Sequence, residues 1–314
     1  MKPSTNQKFS FFSLLDAAII IGVSAVPLFL SYSYRINIFL SWEGAYRMSQ
    51  GQVPFRDFGL PLGYGYWLIP ALFFKLFGPQ MFTLIKAQAF INTVGGFAFR
   101  KILKNLGVEG LVLTLSVWVF CISYSFLNFW PWYNHTVIIY QLVGLAFLTS
   151  SFITQRPLWS NIYIVLAGFF LFLSFFTKQD AGALGILIAL AITLVYAIVS
   201  KTFRHLFWLG GAILVWGLVI ILPLDHSFSY WFNHGQAPHN SRVSPGDILI
   251  DFFSGSQFIK FYLIGVILIG FHRLSQRSII RPEEVVFFFL VLGILAEAAI
   301  FQVTSYVPAD NNIF

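Results

Sequence analysis

The sequence predicts an all-α fold, a polytopic bundle of transmembrane helices with interfacial helices in its first extracytoplasmic loop. Three observations carry that prediction. Of the 314 residues, 58% are hydrophobic and only 10% charged, and the mean hydropathy is +0.78, whereas soluble domains carry about 25% charged residues. Apolar runs approaching the roughly 20 residues needed to cross a bilayer recur along the chain. The basic residues lie in small groups between these runs, which is a signal of topology and not a nucleic-acid-binding patch, so no nucleic-acid partner is expected despite the formal charge of +7.

About nine spans are expected, near 11–33, 81–99, 108–127, 137–154, 161–177, 181–200, 206–223, 257–271 and 284–304. The first is preceded by Lys2 and Lys8 but followed by no small-x-small cleavage site, so it reads as a retained span. The run from Leu62 to Phe77 is short, rich in Gly and Pro, and contains Lys75, so it reads as a helix lying in the outer interface. With the N-terminus inside, Arg100, Lys101, Lys104, Arg156, Lys201, Arg204, Arg273, Arg277 and Arg281 fall in cytoplasmic loops, as the positive-inside rule requires. Counting 62–77 as a span would invert every later loop and place these groups outside. Glu43, Asp57, Asp180, Asp225, Asp247, Asp251 and Asp310 then face outward, and Glu109, Glu283 and Glu284 inward. Asp16 and Glu297 lie within spans, Asp16 near the cytoplasmic edge; Glu297 receives no role.

The single cysteine, Cys121, excludes an intramolecular disulfide and reads as a small buried hydrophobe. No Cys/His cluster has zinc spacing, no carboxylate pair is spaced to grip a divalent ion, and no Gly-rich phosphate loop, GxSxG or HExxH is present. A reaction without metal or other cofactor is the expectation.

The stretch of first interest is 35–80, the longest before residue 220 that lipid cannot accommodate. It holds Glu43 and Asp57 among arginines, glycines, prolines and aromatics. On a helix over 39–50, Glu43 shares a face with Arg47 and Gln50, while Trp42, Tyr46 and Ser49 form another. The plain alternatives are an exposed i,i+4 ion pair for Glu43 and a turn-forming role for Asp57. A second outer loop over 225–257 carries His226, His234, His239 and Arg242 with the turn residues Pro238, Pro245 and Gly246. Its histidine spacings do not match a metal pair, and it reads as a mobile cover or as an ordinary connection.

The pattern Glu43-Gly44-Ala45-Tyr46, then Gly51 with Pro54-Phe55-Arg56-Asp57-Phe58, Pro61-Leu62 and an aromatic run to Phe77-Gly78 resembles the first extracytoplasmic loop of GT-C membrane glycosyltransferases. It is closest to the bacterial branch related to protein mannosyltransferases and the lipid A aminoarabinose transferase. The similarity extends more weakly through Tyr133-Asn134-His135 and Lys178-Gln179-Asp180-Ala181-Gly182. The resemblance implies one module over 1–314, in the bacterial cytoplasmic membrane with its active site on the extracytoplasmic side. It also implies an inverting transfer of a sugar from a polyprenyl-phosphate donor to a glycan, lipid or protein acceptor. Glu43 or Asp57 would be the base; Lys178, with Arg56 and Arg242 behind it, would hold the donor phosphate; Tyr46, His135 and Asp180 would contact substrate.

Two departures stand out. Where many members have two consecutive acids, this chain has Trp42-Glu43; where relatives carry Lys or His before Pro-Pro-Leu, it has Gly59-Leu60-Pro61-Leu62. Relatives also often continue beyond the point where this sequence stops, so a short or truncated member is expected. The alternative readings are a multi-span transporter or flippase of lipid-linked glycans, and an inactive scaffold. Glu43 facing an outer cavity next to an apolar groove would favour transfer; an acid-lined path across the bilayer would favour transport.

Overall fold

The computed structural model describes residues 11–30, 38–58, 63–123, 130–227, 245–255, 257–276 and 281–303. These form twelve α-helices and no strand, apart from an isolated bridge between Pro54 and Phe58. In chain order the helices are α1 (Phe11–Ala25), α2 (Ile38–Ser49), α3 (Gly65–Phe77), α4 (Met81–Asn105), α5 (Gly110–Ser123), α6 (Tyr133–Ile153), α7 (Pro157–Thr177), α8 (Gln179–Ser200), α9 (Arg204–Ile221), α10 (Pro245–Ser254), α11 (Gln257–Ser275) and α12 (Pro282–Val303). Short 3₁₀ segments extend α1 to Phe29 and α9 to Ser227. Arg242, His234 and His239 lie outside the described residues.

Each of the nine apolar runs falls on a helix. Among the described residues five helices, counting the 3₁₀ extensions of α1 and α9, are long and apolar enough to cross a membrane: Phe11–Phe29, Tyr133–Ile153, Pro157–Thr177, Gln179–Ser200 and Arg204–Leu224. The bent pair α10–α11, with 84° between its halves, makes six if taken as one broken span. Part of the shortfall from nine has a local cause: in α4, Thr83, Lys86, Gln88, Asn92 and Thr93 dilute the apolar character, and α5 has only 14 residues.

Helix α6 is the post around which the rest is packed. Its span is 78% buried, against 17% for that of α9. Lipid offers little hydrophobic drive for one apolar helix to meet another, so accuracy comes from close approach at small residues. A β-carbon at Gly144 would lie 2.8 Å from Leu171 Cγ, one at Gly95 2.4 Å from Ile139 Cδ1, and one at Gly168 2.6 Å from Ala212 Cβ. These glycines let α7, α4 and α9 close on their neighbours.

Polar contacts sort the helix ends into two sets. At one end, Asn105 donates to Thr149 Oγ1 (3.0 Å) and Ser150 Oγ (2.9 Å), Tyr196 donates to the Phe152 carbonyl (3.0 Å), and Arg204 donates to Asn161 (2.6 Å). Arg273 forks onto Glu284 across the α11–α12 connection. This end carries the basic loops that the sequence groups together. The first turn of α1 joins it through a buried network in which Arg100 donates to Asp16 (2.7 Å) and Ser13 (3.1 Å), and Thr114 donates to the other Asp16 oxygen. Asp16 is fully buried and Arg100 partly so, and the network ties α1, α4 and α5 together.

Helices α2 and α3 sit at the opposite end. Trp67 Nε1 of α3 donates to the Leu40 carbonyl of α2 (2.9 Å), and Tyr140 Oη of α6 donates to the Gly65 carbonyl (2.9 Å). The far end of α3 returns to the start of α4, where the Lys86 ammonium lies over the rings of Phe77 (4.9 Å) and Phe82 (5.4 Å). Both ends of α3 therefore meet the same end of the bundle.

Removing one partner from a buried ion pair strands the other, at a cost of about 3 to 5 kcal/mol. Asp16→Leu should lower thermal stability in detergent by that amount, and adding Arg100→Leu should recover most of it. Equal stability of the single variant and the parent would show that the network ties nothing together.

Candidate functional site

The site is built on α2 and the turn that follows it. Gly44 is where α2 meets α3: a β-carbon there would lie 2.0 Å from Trp67 Cε2, so the Glu43-Gly44-Ala45-Tyr46 segment can rest on the indole only with glycine in second place. Ser41, one turn earlier, donates to the Pro131 carbonyl and joins α2 to the start of α6. With one face fixed, Trp42 and Tyr46 stack at 4.8 Å with 13° between their planes. On the neighbouring face Arg47 donates to Glu43 Oε1 through both Nε (3.0 Å) and Nη2 (2.8 Å), the i,i+4 pair expected of that spacing.

Arg47 also reaches forward, to Gln52 Oε1 (3.3 Å) and over the Phe58 ring (5.5 Å). The result is a cavity of about 550 Å³ lined by Phe39, Trp42, Glu43, Tyr46, Arg47, Gln50 and Gln52. Glu43 faces it with its side chain 57% exposed. An exposed pair of this kind contributes little to stability, so the arrangement matters for what the cavity can bind.

Asp57 is held differently. Its Oδ2 accepts from the Val53 backbone N–H (2.8 Å), its own N–H donates to the Val53 carbonyl (2.9 Å), and Arg56 donates to both carboxylate oxygens at 2.9 Å. Phe55, inside this turn, takes a φ of +66°, a region that a bulky residue enters only when its surroundings fix it. The surroundings do so: the Phe55 ring is buried against Tyr64 and Phe176. The Arg56 guanidinium, with help from the Val53 amide, holds the Asp57 carboxyl down to about 2. Such a carboxylate is a turn-former and a weak base.

Gly63 and Gly65 seat the next segment directly on the end of α7. A β-carbon at Gly63 would lie 1.5 Å from the Phe176 carbonyl oxygen, and one at Gly65 2.0 Å from Thr177 Oγ1. The following residue is Lys178. It is not an interface lysine reaching for water: its side chain is only 9% exposed and pairs with Asp180 at 3.3 Å. Burial pushes its ammonium down, and Asp180 pulls the other way. Asp180 in turn accepts from the Ala181 N–H at the start of α8 and lies within electrostatic reach of Tyr133. Tyr133 packs edge-on to Tyr66 at 5.9 Å, Asn134 is buried, and His135 is partly buried in the first turn of α6.

Glu43, Tyr46 and Arg47 are thus gathered around one cavity, Arg56 and Asp57 around the adjoining turn, and Tyr133, Lys178 and Asp180 around the α7–α8 joint. The aromatic contact of Phe55 and Tyr64 with Phe176 links the second group to the third. A second cavity, of about 630 Å³, opens beside the turn, lined by Met48, Gly51, Gln52, Val53, Pro54, Arg56, Tyr64, Leu68, Pro223 and Leu224. Gln52 borders both cavities. The sequence reasoning missed Gln52; the i,i+5 reach from Arg47 was the available signal. Among the described residues no group of three or more His, Cys, Asp or Glu is placed to hold a metal ion.

If the Arg56 and Val53 contacts hold Asp57 as described, its carboxyl titrates with a midpoint near 2 and not near 3.8. The turn keeps this contribution above the ordinary carboxylate value and loses it as pH falls through about 2. Carboxyl-carbon NMR of labelled protein checks this; a midpoint near the ordinary value would mean that the turn is not closed by Asp57.

No protein-family model matches the chain, and no curated protein and no solved structure is significantly similar to it.

Proposed function

We propose that the chain is an inverting glycosyltransferase of the cytoplasmic membrane that moves a sugar from a polyprenyl-phosphate donor to an acceptor on the extracytoplasmic face. The observation that carries this reading is the pair of cavities divided by Gln52. Both present mainly apolar surface, but their linings differ: one has a carboxylate, an arginine, two glutamines and a stacked Trp42–Tyr46 platform. The other has Arg56 among aliphatic groups that include Leu68, Pro223 and Leu224. A lipid-linked sugar needs such a combination: a greasy channel for the tail, a cation for the phosphate, and a surface of aromatic rings and hydrogen-bonding groups for the sugar and acceptor. The resemblance of the Glu43 to Gly78 segment to the first outer loop of GT-C enzymes supports the same assignment.

In this mechanism the acceptor hydroxyl oxygen attacks the anomeric carbon as the bond from that carbon to the phosphate oxygen breaks. Polyprenyl phosphate leaves with the electron pair, and the hydroxyl proton passes to Glu43. Glu43 is the better base of the two acids, because it faces a cavity, whereas Asp57 is tied into its turn by Val53 and Arg56. Arg47 orients Glu43. Arg56, 70% exposed on the wall of the second cavity, takes the phosphate, and the Lys178–Asp180 pair holds the α7–α8 joint whose preceding residues, Phe176 and Thr177, seat the loop. Tyr46 offers a ring to the sugar. The buried acids found in the bundle lie apart, Asp16 at the basic end and Glu297 beside Gln141 of α6, which suits transfer better than an acid-lined passage.

Glu43→Gln keeps the shape and loses the proton affinity. Purified protein assayed against a panel of polyprenyl-phosphate sugars should show turnover lowered by about 100-fold or more with donor binding retained. Glu43→Asp should fall between. Asp57→Asn should lose stability while the folded fraction stays active. A wild-type rate in Glu43→Gln beside a well-folded but inactive Asp57→Asn would reverse the assignment, and full activity in both would remove the carboxylate from the mechanism.

Sidedness has its own test. In intact cells an impermeant thiol reagent should label cysteine at Lys75 and leave cysteine at Lys104 unmodified. Labelling at Lys104 would invert the topology and move the site to the cytoplasm.

A further inference from the structure

Glu297 is 2% exposed and sits two-thirds of the way along α12, in a segment that the sequence reads as a span. Its one hydrogen bond among the described residues comes from Gln141 of α6, whose Nε2 donates to Glu297 Oε2 at 2.7 Å. The second carboxyl oxygen, Glu297 Oε1, and the amide oxygen, Gln141 Oε1, are both buried and have no donor among the described residues. An ionised carboxylate here would therefore be a buried charge with one neutral donor and an idle oxygen, next to a second idle acceptor. Asp180, within electrostatic reach, adds a charge of the same sign. That combination is costly in low dielectric.

One proton removes the conflict. A carboxylic acid and a primary amide form a cyclic pair in which the amide N–H donates to one carboxyl oxygen while the acid O–H donates to the amide oxygen. In that form both idle oxygens are satisfied at once. The fold has made room for the pair: a β-carbon at Gly185 of α8 would lie 2.7 Å from both Cδ and Oε1 of Gln141. Gln141 thus passes over a glycine to reach α12 across the face of α8.

We propose that Glu297 is a proton-binding site, held as the neutral acid in a cyclic pair with Gln141 that clasps α12 to α6 over Gly185. The other ionisable groups on the surrounding elements are otherwise engaged. Lys178 is paired with Asp180, and Lys260 of α11 donates to the Phe253 carbonyl. Asp251 of α10, Tyr133 and His135 complete the set at this end. Loss of the proton sets two acceptors against one another and weakens the clasp, so this part of the bundle loosens as pH rises. The inference does not depend on the transferase reading.

Infrared spectra of the full chain in nanodiscs test it. The parent at neutral pH should show the carbonyl stretch of a protonated carboxylic acid, shifted in D₂O and lost on alkalinisation. Glu297→Gln should abolish the band and should melt at a temperature that no longer falls with rising pH over the range where the parent's does. Absence of the band in the parent, or its persistence in Glu297→Gln, would overturn the proposal. Gly185→Ala, which presses on Gln141 and leaves the carboxyl in place, should move the band toward the frequency of an unpaired acid. An unmoved band would overturn the cyclic pair even if Glu297→Gln does not fold.

Discussion

Close approach to α6 is the constraint on which the other positions depend. In water, burying apolar surface would draw helices together with some tolerance for misfit, but in lipid that drive is nearly absent and contact distance decides. The glycines at 95, 144 and 168, together with Ile139 and Leu171, set these distances at the bundle's centre. The consequence reaches the surface. Because α7 is seated on α6, its last residues, Phe176 and Thr177, are held in position to receive Gly63 and Gly65. The turn around Phe55 inherits its position from them. A loop that would otherwise be free is thereby fixed from below, by backbone contacts that no side chain could make.

Within that frame the two acids of the first loop are treated in opposite ways. Asp57 is spent on geometry: its carboxylate closes a turn and fixes the guanidinium of Arg56. Glu43 makes only an i,i+4 contact with Arg47 and keeps an open side toward a cavity. The difference follows from backbone. Glu43 lies within a regular helix, where the backbone N–H groups beside it serve the helix itself, whereas Asp57 sits where Phe55 has a positive φ and the Val53 amide is left for its carboxylate. A carboxylate beside an unengaged amide closes a turn, and one on a helix face remains available to a ligand.

Much of this was legible in the sequence. The helices sit where the apolar runs are, and the Glu43–Arg47 and Trp42–Tyr46 pairs follow from helical spacing alone. The separation of basic loops from the motif-bearing end follows from alternation of spans. Three things were not legible. The burial of Lys178 depends on how α6 and α8 close over the joint, which local sequence does not encode; a lysine between two apolar runs reads equally as a reaching side chain. The partnership of Glu297 with Gln141 joins residues 156 positions apart and requires a glycine on a third helix. The division of the motif-bearing end into two cavities turns on Gln52, an unremarkable residue in sequence whose importance is purely positional.

Lys86 lies one turn into α4 with its ammonium over two phenyl rings, and Lys101 and Lys104 lie near the helix's other end. From Lys86 to Lys101 the helix rises about 22 Å. Helix α4 therefore works as a strut, a single rigid element that runs between the bundle's two polar ends. Its first turns are pinned to α3 through the Phe77 ring, so the separation of the candidate site from the basic end is set by the length of this one helix.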